Sequence, residues 1–322
     1  MIINQYNPLR ECILGAVDLR LIDSINPNPA MRRKLEHIFK QTSVDFDNIQ
    51  RTLESRGIVV HRPTLIVPDT FRTPYRTIPG GKLPLAPRDF FLLVDEDIVE
   101  TVNWQPEAQF MSYNYREIML DYFAKGSYWY SMPMPRHDPA GDIGEELANI
   151  DPIFDAPCAV PHNNMMFIST HGAVNPLGEQ WIRRMFSHKN IIGMDPAHFS
   201  GHLDSHFAIL RDGLVLTHHP REHFPEYFND WDFINVDPRT NSGQTLVDER
   251  LQDDDFDNTV LAVNMLSLDP NTVLLNSHYK TYDYMLSQLQ KHNIETVFVD
   301  FEYMNFFNNG ITCIILDTVR DV

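Results

Sequence analysis

Residues 202–216 read HLDSHFAILRDGLVL, and this stretch decides the fold class. An apolar run starting at Phe207 and another ending at Leu216 flank Asp212-Gly213, a pair strongly favoured in the tight turn of a β-hairpin. Polar residues come directly before the first run, and they include His202 and Asp204. The stretch therefore predicts an antiparallel hairpin with ionisable side chains at its open end.

The same pattern recurs in both directions along the chain. Further hairpins are predicted over 90–100, turning at Asp95 to Asp97, and within 259–276, turning at Asp269 to Asn271. Single strands are predicted over 11–17, 58–62, 165–170, 296–300 and 312–317. Helical spacing of apolar residues predicts helices over 29–56, 110–125, 177–188 and 281–292. The repeating unit of hairpin, helix and strand indicates an α/β fold.

Charge and hydropathy narrow the functional classes. The 322 residues carry 44 acidic and 26 basic side chains, which gives a net charge of -18. Such a field repels phosphates and attracts cationic small molecules, so nucleic acid is excluded as a partner. No apolar run approaches the ~20 residues of a membrane helix, and the N-terminus lacks a signal-peptide pattern. We expect a single domain over 1–322, located in the cytoplasm, without membrane contact.

Cysteine and histidine spacing gives no metal or cofactor motif. The three cysteines are Cys12, Cys158 and Cys313. Their odd number and the absence of CxxC spacing argue against a disulfide framework or a zinc ribbon. His202 with His206, and the His218-His219 pair, are weak metal signals, and neither HExxH nor a phosphate loop occurs. The sequence therefore predicts no metal and no cofactor.

Two regions could carry nucleophilic chemistry. Cys313 follows Asn308-Asn309-Gly310, a turn that lets the backbone approach a ligand, and it begins an apolar strand. Read alone, such a cysteine is more often a core residue than a nucleophile. His202 and Asp204 would share one face of a strand, where they could bind a cation and move a proton, although a polar strand end is the plainer interpretation. His206 falls on the same face and could compete for that role.

Six stretches, taken in order, resemble segments of the amidinotransferase family. They are APRD at 86–89, REIMLDYF at 116–123, FDA at 154–156, NPLGEQWIRR at 175–184, HLDSHF at 202–207 and NGITC at 309–313 with the basic tail at 317–320. The resemblance runs from about Leu85 to the C-terminus, with a weaker start at NPLRECILG over 7–15. It implies a pentein fold, which is an α/β-propeller of five ββαβ modules around a central site.

The resemblance also implies residue roles. Cys313 looks like the nucleophile, His202 like its general acid and base, and Asp155 like the carboxylate that orients the histidine. The substrate-binding positions would be Asp89 and Asp204 for a guanidinium group, Arg221 for a substrate carboxylate, and Asn258. Asp257-Asn258 stands where the family has a serine pair, and Asn308-Asn309 replaces glycines before the cysteine. These departures concern the acceptor more than the chemistry.

The implied reaction moves the amidino group of L-arginine to an amine acceptor through a covalent amidino-cysteine, and it releases ornithine. The acceptor could be glycine, another amino acid or a natural-product amine. Attack by water would instead give a guanidino-group hydrolase, similar to arginine deiminase or dimethylarginine hydrolase. A third hypothesis is a binding or structural protein of this fold without catalytic activity. We expect ping-pong kinetics, small-molecule partners, a possible homodimer, and long loops over 64–87 and 131–161 that rim the site.

Overall fold

Short strands alternate with helices in this computed structural model, which describes residues 4–22, 29–66, 70–74, 77–79, 84–136, 149–236, 263–277, 283–301, 303 and 309–321. The strands are β1 (Leu9–Leu14), β2 (Val59–His61), β3 (Thr70–Arg72), β4 (Thr77–Pro79), β5 (Phe91–Val94), β6 (Asp97–Glu100), β7 (Tyr128–Ser131), β8 (Ala159–His162), β9 (Met165–Ile168), β10 (Asn190–Gly193), β11 (Phe207–Arg211), β12 (Leu214–Thr217), β13 (Asp232–Asn235), β14 (Leu266–Asp269), β15 (Thr272–Asn276), β16 (Glu295–Val299) and β17 (Ile315–Arg320). The helices are α1 (Pro29–Glu54), α2 (Arg116–Ala124), α3 (Pro176–Met185), α4 (Asp283–Lys291) and the single turn α5 (Ile311–Ile314).

Five three-stranded sheets share one connection pattern. Their strand orders are β5-β6-β7, β8-β9-β10, β11-β12-β13, β14-β15-β16 and β17-β1-β2. In each sheet the central strand is antiparallel to the first strand and parallel to the third. A parallel pair needs a crossover, and helices α1, α2, α3 and α4 supply it in four of the sheets. The predicted α/β class is confirmed, and the unit of hairpin, helix and strand is present in four of the five sheets. In the β11-β12-β13 sheet, two 3-10 turns take the place of the helix.

The three predicted hairpins are present among the described residues. Asp95 (φ 52°) and Gly213 (φ 79°) take the left-handed backbone that their tight turns require. Asn163 (φ 51°) does the same between β8 and β9, a hairpin that the sequence did not predict. Helices α1, α2 and α4 lie inside their predicted ranges, and α3 begins one residue before its own range. Helix α2 is shorter than predicted, because Met111–Tyr115 forms a 3-10 turn and the α-helix begins only at Arg116. Residues 259–262 and 281–282 of the predicted elements lie outside the described residues.

The apolar side of α1 holds that helix on its sheet. Phe39, Phe46, Ile49 and Leu53 are fully buried and belong to one cluster with Leu14 of β1. Each buried side chain of this size stabilises the fold by about 1.5–3 kcal/mol.

None of the helices in the described ranges is both long and apolar enough to cross a bilayer.

A short helical turn precedes the first strand in four of the five three-stranded sheets, and these turns form a ring that a residue just before the fifth sheet completes. The turns Pro87–Asp89, Ala156–Cys158 and Leu203–Ser205 stand before β5, β8 and β11, and α5 stands before β17. Helix α5 contacts the first of them, which contacts the second, which contacts the third. Asn264, just before β14, closes the ring through hydrogen bonds to Asp204 and Thr312. Side chains from five sheets therefore converge at one place.

A buried ion cluster fixes two of these turns relative to each other. Asp317 on β17 contacts Arg88 (Nη2 to Oδ1, 2.5 Å) and Arg320 (Nε to Oδ2, 2.7 Å), and all three are almost fully buried. Arg88 also donates to the carbonyls of Thr312 (2.8 Å) and Ile315 (3.1 Å). The segment that carries Asp89 is thereby attached to the turn that carries the cysteine.

Asp317→Asn should destabilise the fold strongly, because it leaves two buried guanidinium groups without their counter-charge. We expect the free energy of unfolding to fall by about 3–5 kcal/mol, measured by urea denaturation. Asp321→Asn is the matched control, since Asp321 pairs with Arg10 on the surface and should cost less than about 1 kcal/mol. Equal losses in the two variants would contradict this account of the buried cluster.

Candidate active site

Cys313 lies in the single helical turn α5 rather than on a strand. The strand predicted to start at residue 312 begins only at Ile315. The Cys313 side chain is almost buried, at 8% exposure. Its Sγ accepts a hydrogen bond from Asn264 Nδ2 (3.4 Å), and its thiol donates to Asp204 Oδ2 (3.7 Å). The cysteine is thus held between an amide and a carboxylate.

Gly310 allows that arrangement. A Cβ at position 310 would stand 2.1 Å from Oδ1 of Asn264, so no larger residue fits without displacing the amide. The same Oδ1 accepts from the backbone N–H of Thr312 (2.8 Å). Gly310, which the family motif also has, therefore allows Asn264 to approach the α5 turn that carries Cys313.

His202 and Asp155 form a hydrogen-bonded pair, as the predicted roles require. His202 Nε2 lies 3.1 Å from Asp155 Oδ2. Asp155 is fully buried, and it also accepts from Asn103 Nδ2 (3.0 Å) and from the backbone N–H of Trp104 (3.1 Å). A carboxylate with three donors is fixed in position, and it fixes the imidazole in turn.

Surrounding carboxylates keep His202 protonated at neutral pH. Burial alone would lower the pKa of His202, but the hydrogen bond to Asp155 and the charges of Asp89, Asp155 and Asp204 raise its pKa to about 9. The imidazolium can therefore donate a proton to a leaving group. Asp89, at the end of the Pro87–Asp89 turn, belongs to this site electrostatically.

Asp204 does not share a strand face with His202, so that prediction from the sequence is wrong. His202 precedes the 3-10 turn Leu203–Ser205, and Asp204 lies inside it. Asp204 Oδ2 accepts from Asn264 Nδ2 and from Thr312 Oγ1, each at 3.2 Å. Its Oδ1 is buried and has no hydrogen-bond partner among the described residues. A buried carboxylate oxygen without a donor is suited to a cationic ligand.

The thiol of Cys313 is neutral without such a ligand. Burial raises its pKa well above the ordinary value, and the negative charges of Asp204 and Asp89 raise it further. Hydrogen bonds from Gly310 and Asn264 act in the opposite direction. A cation bound between the two carboxylates would offset their charges and favour the thiolate.

Asn264 is a site residue that the sequence did not predict. It is 3% exposed and contacts Cys313, Asp204 and Thr312 at once. Within VNMLSL it looks like one amide in an apolar strand. The available signal was positional, because Asp89, Asp155 and His202 each also precede the first strand of a sheet.

Two predicted substrate-binding residues stand apart from these contacts. Arg221 donates to the carbonyls of Asn229 (2.7 Å) and Trp231 (2.5 Å), and its guanidinium lies over the ring of Phe233. These contacts hold the connection between β12 and β13. Asn258 lies outside the described residues, as do Asp257 and Asn308.

The other cysteines have the surroundings of core residues. Cys12 and Cys158 are fully buried in two different apolar clusters. Burial raises the pKa of both thiols far above the ordinary value. Burial raises the pKa of Cys313 as well, but Cys12 and Cys158 have no exposed surface, so neither can reach a substrate.

Two long loops were predicted to rim the site. The first contains a small hairpin formed by β3 and β4, and residues 137–148 of the second lie outside the described residues.

Comparison of this sequence and fold with known proteins shows which enzymes the chain resembles. No family model matches the chain. Its sequence is 24% identical to inosamine-phosphate amidinotransferase 1 of Streptomyces glaucescens, over 98% of this chain and 95% of the relative. It is 25% identical to the mitochondrial glycine amidinotransferase of Gallus gallus, over 98% of this chain and 82% of the relative.

A solved structure shares the fold. The amidinotransferase SxtG from Microseira wollei, of the saxitoxin biosynthetic pathway, superposes with a TM-score of 0.82 at 21% identity, over 99% of this chain and 96% of that chain. The chain is therefore similar to amidinotransferases along nearly its whole length. The resemblance first seen in six short motifs is confirmed.

Proposed function

We propose that this chain is an amidinotransferase that moves the amidino group of L-arginine to an amine acceptor. The observation that carries the proposal is the convergence of a thiol, an imidazole–carboxylate pair and two further carboxylates on one ring of turns. Its relatives are named for amidino transfer, to inosamine phosphates in one case and to glycine in another.

Binding comes first. Asp89 and Asp204 would hold the planar guanidinium, because carboxylates make strong, charge-assisted contacts with it. The buried Oδ1 of Asp204 would gain the donor that it lacks among the described residues. The bound positive charge lowers the pKa of the Cys313 thiol, whose proton leaves to solvent. A thiolate then faces the electrophilic carbon.

In the first half-reaction, Sγ of Cys313 attacks the guanidino carbon and forms a tetrahedral adduct. The imidazolium of His202 gives its proton to the nitrogen that departs, and the carbon–nitrogen bond breaks. Ornithine leaves, and the amidino group stays on sulfur. Because the pKa of His202 is about 9, the imidazole is charged at the start of this step.

In the second half-reaction, His202 is neutral and takes a proton from the incoming amine. The amine nitrogen attacks the amidino carbon, the carbon–sulfur bond breaks, and the thiolate is restored. Asp155 keeps the imidazole oriented in both directions of proton transfer. Positioned proton transfer of this kind accelerates a reaction by roughly 10²–10⁴-fold.

The same proposal includes the finer architecture. Five sheets of one pattern, with turns that contact in a ring, support a pentein propeller of five ββαβ modules in one domain over 1–322. A substrate-carboxylate contact for Arg221 and an acceptor contact for Asn258 remain predictions. So do homodimer formation and a cytoplasmic location.

Product analysis tests the function. We expect the purified protein to form ornithine from arginine in sustained turnover only when a suitable primary amine is present. A panel of glycine, other amino acids and aminocyclitols identifies the acceptor by the amine that supports turnover. Citrulline with ammonia, or ornithine with urea in the absence of amines, would replace the transferase by a hydrolase. No consumption of arginine with any amine would contradict the arginine donor.

A further inference from the structure

Three histidines lie close together beside the Leu203–Ser205 turn, and the proposed reaction uses none of them. One ring nitrogen from each of His206, His218 and His219 lies within 4.8 Å of the others. His206 precedes β11 and the other two follow β12, so the pairing of Phe207 with Thr217 brings them to the same end of the hairpin. Their spacing in the sequence, a single residue and an adjacent pair, conceals this proximity.

Hydrogen bonds hold the hairpin end and set the ring orientations. Thr217 Oγ1 donates to the carbonyl of His206 (2.8 Å) and accepts from the backbone N–H of His219 (3.0 Å). His206 Nε2 lies 2.9 Å from the carbonyl of Ser200, so this nitrogen carries a proton. The lone pair of His206 is therefore on Nδ1, which faces His219 Nε2 at 2.8 Å.

These hydrogen bonds resemble the ones that orient metal-binding histidines in proteins. Metal-binding histidines commonly donate their second ring N–H to a backbone carbonyl, as His206 does. His218 Nδ1 is buried and has no hydrogen-bond partner among the described residues. A buried ring nitrogen without a donor or acceptor is costly unless a ligand uses it.

We propose that His206, His218 and His219 form a binding site for a divalent transition-metal ion of the Zn²⁺ class. Three neutral imidazoles with one open position is a recurrent Zn²⁺ arrangement, with metal–nitrogen distances of about 2.0–2.1 Å. Tetrahedral geometry then needs ring nitrogens roughly 3.3 Å apart. Metal binding therefore requires the closest pair, 2.8 Å apart, to separate slightly and the wider pairs to approach through changes in ring orientation. His219 also moves its proton to Nδ1.

The surroundings favour neutral ligands and a bound cation. The rings of His206, His218 and His219 are all partly buried, so their nitrogens are shielded from bulk water. The carboxylate of Asp204 also acts on His206. This inference does not depend on the proposed amidino transfer.

Zn²⁺ titration of the full chain without a polyhistidine tag tests the site. The protein is first treated with EDTA and desalted. The titration is made in a Cys313→Ser background, so that the reactive thiol cannot be the ligand. We expect one equivalent bound with a micromolar or lower Kd by isothermal calorimetry, and a rise in Tm of several degrees. Co²⁺ in place of Zn²⁺ should give visible absorption typical of four-coordinate nitrogen ligation.

Ligand variants identify the residues. His206→Ala and His219→Ala should each weaken Zn²⁺ binding at least 100-fold, while His188→Ala, at an exposed histidine outside the cluster, should leave the Kd unchanged. His218→Gln serves as a variant of similar size, and circular dichroism checks each fold. The absence of binding in the Cys313→Ser background would overturn the site, as would an unchanged Kd in a folded His206 or His219 variant.

Discussion

Cys313→Ser should lower the turnover of arginine by about 10⁴-fold or more while the fold stays intact. A serine hydroxyl at this position has no adjacent base to remove its proton, because His202 already carries one at neutral pH. The thiol, by contrast, ionises once a guanidinium offsets the charges of Asp89 and Asp204. The loss should therefore fall on kcat, measured as the initial rate of ornithine formation.

A second readout detects the intermediate. Wild-type protein incubated with arginine and no acceptor should gain the mass of one amidino group less the displaced proton, and Cys313→Ser should not. Cys158→Ala is the matched control, since Cys158 is fully buried in an apolar cluster and should be dispensable for turnover. Serine is unsuitable there because it would bury a hydroxyl among apolar groups. Near-normal turnover in Cys313→Ser would remove the nucleophile assignment.

The fold was predictable where its signals are local. Asp212-Gly213 and the acidic turn at Asp95 each specify a hairpin from two or three residues, and both are present. The hairpin of β8 and β9 was missed because its turn at Asn163 lacks glycine and Pro161 interrupts the strand pattern. The pairing of β1 with β17 joins the two ends of the chain, and no local pattern encodes it.

The site was predictable in composition but not in local geometry. Ordered motifs pointed to Cys313, His202, Asp155 and Asp204, which the structure brings together. The period-two rule then placed His202 and Asp204 on one strand face, whereas a 3-10 turn occupies that position. A turn of three residues is too short to leave a periodic signal in the sequence. Such turns let each side chain point to the centre before its strand begins.

Partners of the site residues were also hidden from the sequence. Asn264 contacts the thiol only because Gly310 leaves room for it, 46 residues further along the chain. Arg88 is adjacent to Asp89 in the APRD motif, but its charge is used by Asp317 on β17. Contacts between distant segments of this kind depend on how the sheets are arranged, which one sequence does not reveal.

Asp155→Asn should lower kcat by about 10²–10⁴-fold through its effect on His202. An amide of the same shape keeps the volume but removes the negative charge that binds Nε2 of the imidazole. The pKa of His202 then falls from about 9, because burial still lowers it and only the charges of Asp89 and Asp204 still raise it. Fewer molecules carry the imidazolium at neutral pH, so the leaving amine loses its proton donor.

The pH profile separates this effect from a general loss of structure. Wild-type protein keeps its imidazolium below about pH 9, so the alkaline decline in the single-turnover rate of ornithine release should begin only as pH rises through that value. In Asp155→Asn the decline should begin at least one pH unit lower. Asp18→Asn is the control, because Asp18 is another buried aspartate that caps the Leu19–Leu21 turn and pairs with Arg20. Its profile should match the wild type.

A double-mutant cycle with His202→Ala tests whether Asp155 acts through the histidine. If it does, Asp155→Asn costs little in a chain that already lacks the imidazole, and the two single losses do not add. Additive losses would mean that Asp155 contributes to the fold or to substrate binding directly.

The Asp155–His202 contact should also make stability depend on pH. The raised pKa makes the Asp155–His202 contribution complete below pH 6.5 and lost as pH passes 9, so Tm differences between Asp155→Asn and wild type should shrink on the alkaline side.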